Sequence, residues 1–201
     1  MHLSEAFTVS SGQQVSTQPT DEYLPLSHPV NLLQLSDFND DGQPYQPFRT
    51  QLTSIPPAAK KHLLEAGQLL FTAKGARLFA TCVQPAWLPA LASTSFFVLT
   101  PHVPQLLPEF LALMLNLPDT REALRSLFTT TTIPTLSRRS LLALVLPLPD
   151  PLPSLPTQQY AVELLQLWHQ EKALLLRYLP LREQRVHSHL QQLLSNQLKT
   201  N

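Results

Sequence analysis

The sequence is short of glycine, cysteine and charge, and each shortage removes a class of function. Four glycines, at 12, 42, 67 and 75, are well below the usual share of about 7%. None stands close enough to another to build a dinucleotide fingerprint or a P-loop, both of which need neighbouring glycines so that backbone can approach phosphate. A single cysteine, Cys82, cannot form an internal disulfide, and its apolar surroundings mark it as a core residue of a reducing compartment. No apolar run approaches the roughly 18 residues a membrane span needs, and the first residues lack a charged-then-apolar leader pattern, so the expected compartment is the cytoplasm.

Charge is scarce and balanced. Lys and Arg number 14, as do Asp and Glu, in 201 residues. That excludes a protein whose whole surface is a polyanion magnet. The average hides a split: residues 1–48 hold six carboxylates and no Lys or Arg, leaving the rest at +6. A local basic face is therefore available, with the acidic segment expected to face away from it.

Catalytic patterns are missing as well. There is no G-x-S-x-G elbow and no paired-carboxylate pattern, and His187 and His189, two apart on a helix, point to different sides and cannot share a metal. The expectation is a non-enzymatic chain without cofactor.

What is abundant is apolar surface, 43% of residues, and proline, 20 residues against a usual share of roughly 5%. A chain of this composition folds, and its prolines punctuate the elements. Strands are expected within 28–45 ahead of an Asp/Asn/Gly turn, and near 68–72, 77–84 and 94–100. "PEFLALMLN" reads as a helix opened by proline, and "DTREALRSLF" as a second, with Asp119 and Glu122 at capping-box spacing. A threonine loop at 129–132, a polar step at 137–139 and an apolar strand at 140–147 follow.

The proline-rich exit near 147–156 divides the chain into a domain over 1–153 and a helical segment over 154–201. With Thr157 as N-cap, a helix to about Ser195 would run roughly 58 Å. Its seam, Leu165, Trp168, Lys172, Leu175, Leu179, Arg182, Val186, Leu190 and Leu193, has coiled-coil spacing, and one helix cannot bury it alone. Leucines at 164, 167, 174 and 176 widen the arc beyond a two-helix stripe. Pro180 predicts a kink near Arg177–Leu179. The fold class is thus α+β, a mixed-sheet domain with small helices followed by a long coiled-coil-like helix.

The order of "LQLSDFNDDGQ", "LLEAGQLLFTAKG", "PEFLALMLN", "TIPTLSRRSLLALVLPLP" and "TQQYAVELLQLWHQEKALLLRYLPLREQRVHSHLQQLL" resembles the specificity subunit of type I restriction-modification systems. The resemblance spans about residues 25–198 and is to one target-recognition domain followed by one long helix. Gln68 replaces that family's usual acidic residue, Lys74-Gly75 its Arg-Gly, and the threonines a glycine. Two such domains and two helices are usual, so the chain resembles a half-subunit that would pair through its helix with a second copy.

The resemblance implies double-stranded DNA as ligand and docking of a DNA methyltransferase (modification) subunit, which carries S-adenosylmethionine and flips the base. A restriction/translocase subunit is a further implied partner. It places Lys74, Gly75 and Arg77 in a turn at the DNA-facing rim, Arg77 being the better guanine reader and Lys74 a phosphate contact. Ser137, Arg138, Arg139 and Thr131 join that rim by the same reasoning. Partner contacts fall to Leu165, Trp168, Leu175, Leu179, Val186, Leu190 and Leu193. Two other readings stay open: a solvated hairpin turn at 74–77, and a degenerate half-subunit that keeps its helix to bind proteins but no longer reads DNA.

Overall fold

The computed structural model describes residues 1–16, 23–129, 133–146 and 148–198, with side-chain surroundings through 195. Two compact units result, Met1–Gln159 and Tyr160–Asn201. Expected residue Thr131 lies outside the described residues.

The first unit is built on two sheets. One is antiparallel, in the order β1 (Phe7–Ser11), β7 (Phe96–Pro101), β4 (Leu69–Thr72), β5 (Ala80–Cys82). The other sets β2 (Leu24–Leu33) between antiparallel β3 (Gln51–Ile55) and parallel β6 (Ala90–Ala92). All four residues of β4 are buried, which is why it reads in sequence as an apolar run, Leu69 to Phe71, closed by a buried threonine rather than as an alternation. The chain joins the sheets at Gly12 and Gln13: Gly12 N–H donates to Phe96 O on β7 at 2.9 Å, Gln13 N–H donates to Ala92 O on β6 at 2.7 Å, and a Cβ at Gly12 would lie 2.0 Å from Ser93 O. No other residue fits.

Phe38 centres the larger core cluster, its ring 5.6 to 6.3 Å from those of Phe48, Phe79, Trp87 and Phe96. Such tilted and edge-on pairs add to the burial of large apolar area. The second cluster joins Val30, Leu32, Leu52, Ile55, Ala59 and Leu91. Cys82 is buried, as its neighbours in sequence require, and burial, reinforced by the Glu109 carboxylate, pushes its thiol up to about 12.

Helix α1 (Leu3–Ala6) precedes β1, and α2 (Pro108–Asn116) and α3 (Pro118–Arg125) follow β7; α2 is opened by proline as expected, and α3 is opened by proline too. The Asp119–Glu122 capping box does not form. Pro118 takes the first helical position with Leu117 as N-cap, and Glu122 instead pairs with Arg125 at 3.2 Å. Over the described part of the expected strand at 140–147 the chain forms α4 (Arg138–Leu142) instead: Ser137 caps it by accepting the Ser140 N–H at 3.0 Å, and among the described residues of that stretch only Val145 bridges, to His2. A serine that caps decides the conformation of a short apolar run that periodicity leaves ambiguous.

The long helix, α5 (Leu155–Leu198), has 44 residues. Its N-cap is Ser154 rather than Thr157, since Ser154 Oγ accepts the Thr157 N–H at 3.4 Å. Pro180 lies inside α5 without ending it. Gln158, buried in its first turn, donates to Gln105 O and Pro153 O at 2.8 and 2.9 Å and accepts from Leu107 N. Among the described residues no helix is long and apolar enough to cross a membrane.

Candidate nucleic-acid interface

Strand β4 delivers the basic turn. After Thr72 the chain bends through Lys74 and Gly75, whose φ of 97° lies in the region only glycine enters without strain. The segment 133–136 then lies alongside: Gly75 N–H donates to Pro134 O and Leu136 N–H to Ala73 O, both at 2.9 Å, and Lys74 bridges Thr135. Two stretches that are 60 residues apart in sequence thus form one rim.

Ser137, Arg138 and Arg139 follow at once, at the start of α4. On a helix successive residues are about 100° apart, so the two arginines diverge without pointing oppositely as strand residues would. Both are exposed, as is Lys74. None of these three makes an ion pair among the described residues. Arg139 and Ser140 also border an open hollow of about 480 Å³ with Ala123, Leu127, Ala143, Leu144 and Val145.

Arg77 is disposed differently. Its guanidinium turns back into the chain, donating from Nη1 to Phe38 O at 2.5 Å and from Nη2 to Leu35 O at 2.6 Å, with Nε 4.0 Å from Asp40. The acidic turn therefore borders the basic rim instead of facing away from it. Asp37 is enclosed, accepting from Gln34 N at 2.8 Å and Arg49 N at 3.5 Å, while the Asp40 carboxylate is 86% exposed.

Sequence reasoning passed over two residues on the opposite flank. Arg121 Nη2 reaches Asp40 O at 3.4 Å and Asn116 Oδ1 at 3.1 Å, and its Nε finds no acceptor among the described residues. Burial lowers its pKa, opposed by the carboxylates of Asp41 and Asp40. Asn116 in turn clasps the edge strand, donating to Ala80 O at 2.7 Å and accepting Ala80 N–H at 2.9 Å. An Asn at a helix C-terminus was the available signal, but its target gives none.

In the second unit the seam is laid open. Trp168, Leu175, Leu179, Val186, Leu190 and Leu193 are exposed and Leu165 partly so. A second stripe, Tyr160, Leu167, Leu174 and Leu181, repeats every seven residues with Tyr178 between, all exposed. It lies one residue, hence about 100°, around the helix from the first, and it stops where the first continues.

No protein-family model and no curated protein matches the sequence. Solved structures do. The S subunit of a type I restriction-modification system from M. genitalium superposes with a TM-score of 0.56 at 13% identity, over 85% of this chain and 38% of that one. The HsdS subunit from Thermoanaerobacter tengcongensis gives 0.55 at 18% identity, over 89% and 39%. A chain from a structure of type I R-M complex assembly and conformational transition gives 0.54 at 19%, over 87% and 38%. The fold is that of type I restriction-modification specificity subunits, across about two fifths of their length.

Proposed function

We propose that the chain is the DNA-specificity component of a type I modification complex, reading one half of a bipartite double-stranded target and docking a methyltransferase subunit without catalysing a reaction itself. The fold likeness carries this reading, and the joining of the 74–75 turn to 133–139 supports it, because hydroxyl and cationic groups on one rim suit phosphate and base-edge contacts. Lys74, Gly75, Ser137, Arg138 and Arg139 form the contact surface. Residues 1–153 are the recognition domain and 154–201 the docking helix. The Trp168-to-Leu193 seam pairs with a second copy, the Tyr160-to-Leu181 stripe with the modification subunit, and a restriction/translocase subunit joins through that assembly.

One observation favours a second reading, a protein-interaction module that has lost DNA reading. Residues 1–159 hold nine Lys and Arg against eleven Asp and Glu, and Arg77, Arg121 and Arg125 are engaged within the chain.

Salt separates the two. A DNA reader that neutralises several phosphates loses affinity steeply as salt rises, at a slope of about −0.9 per phosphate in log–log form, whereas helix docking does not. The expected result is a steep slope for duplex DNA, together with a dimer or a stable mixed complex with a type I modification methyltransferase subunit by light scattering. A monomer that neither binds duplex nor associates would refute both readings.

A further inference from the structure

Arg77 has spent its best donors on its own backbone. The two carbonyls it holds, Leu35 O and Phe38 O, lie about 40 positions back in the chain. Its side chain is only 33% exposed. Two strong bonds from one planar fork fix both the distance and the angle between two turns, which a lysine's single ammonium cannot do. Arg121 holds the same turn from α3 through Asp40 O, and Asn39 ties it internally, its Oδ1 accepting from Asp41 N at 3.0 Å and Gln43 N at 2.8 Å. The turn is therefore clamped from two sides, with its exposed Asp40 carboxylate held beside a cationic rim.

We propose that Arg77 is a positioning residue for target reading: it clamps the 35–40 turn to the 74–77 turn, so that Asp40 and Lys74 stand in fixed register and admit a DNA backbone along one line only. The role rests on the DNA-reading function proposed above. Lys74 attracts phosphate and Asp40 repels it, so their fixed spacing orients the duplex, and that orientation decides which base edges the rim meets. Arg77 acts through the turn and does not itself reach DNA.

The test compares the full chain with Arg77→Ala and Arg77→Lys in three measurements: amide exchange of Asp41, Gly42 and Gln43, the salt slope of duplex binding, and the consensus enriched from random duplexes. With the clamp lost, exchange of those amides should quicken by about tenfold or more, as a locally held turn opens. The salt slope should stay at the wild-type value, and the consensus should loosen at several adjacent positions. Arg77→Lys, which keeps the charge and the aliphatic stem, should behave like Arg77→Ala.

Unchanged exchange overturns the clamp. A slope shallower by about 0.9 makes Arg77 a phosphate contact, and loss of preference at one base pair alone makes it a direct base reader; either overturns the positioning role. An unaltered consensus with faster exchange reduces Arg77 to local stability. If the wild-type chain selects no duplex, the DNA-reading function fails and takes the target-setting role with it, while the exchange result still decides the clamp.

Discussion

Leu70 and Leu175 carry the same side chain in opposite circumstances: one is 0% exposed in a sheet, the other 46% exposed on a helix. Around Leu70 the first unit satisfies itself, with apolar strands closed by a ring of aromatics and its clamping arginines spent on its own carbonyls. Around Leu175 the helix leaves two stripes of leucine and aromatic residues uncovered. A side chain left half exposed forgoes about half of the roughly 1.5 to 3 kcal/mol that full burial of a leucine contributes. The first unit is thus stabilised by what is in the chain, whereas the second leaves its stripes for the partners proposed above.

The largest effect should come from breaking the first unit at its hub. Phe38→Ala removes a ring that touches four others and leaves a cavity, so a loss of about 3 to 5 kcal/mol is expected in denaturant unfolding. Leu175→Asp should do the opposite. The Met1–Gln159 unit should unfold at the unchanged midpoint, while self-association weakens by a hundredfold or more, about 3 kcal/mol, as a charge enters the seam. An intact complex in that variant would mean that the seam is not the interface.

A smaller effect tests the seal on the edge of the antiparallel sheet. Asn116→Ala leaves the Ala80 N–H and C=O without their partners and deprives Arg121 of one of its acceptors, for an expected loss of about 1 to 3 kcal/mol. Asn116→Asp should retain the accepted bond and lose the donated one, so its cost should fall between. Equal stability of all three proteins would show that water replaces the clasp without cost.

What was legible in sequence follows the same division. β4, β7 and α2 announce themselves because burial or a proline start leaves a mark on every residue, and the helix seam does so by its period. α4 was misread because five residues carry too little periodicity, and only Ser137 could have signalled the cap. Phe38 sits between polar residues in "SDFND" and gives no hint of its role as hub. Arg77 reads as a free cation in sequence because its partners are carbonyls, which every residue has. The acidic turn was expected to face elsewhere for the same reason: net charge by segment says nothing about which turns meet.

The last effect, absent at neutral pH, sharpens the account of the first unit as self-contained. Cys82 is held neutral by burial, its pKa raised from 9.0 to about 12 with help from Glu109. Between those values the unfolded chain releases the thiol proton and the folded one keeps it, so rising pH favours unfolding. The contribution is fully present below pH 9 and is lost as pH rises towards 12, at up to about 1.4 kcal/mol per pH unit. Other groups titrate in that range, so the quantity to follow is the stability difference between wild type and Cys82→Ala, from urea unfolding at pH 7 to 10.5. It should be flat to pH 9 and then decline, and a difference that stays flat throughout would mean that the thiol is wetter than its buried place in β5 implies.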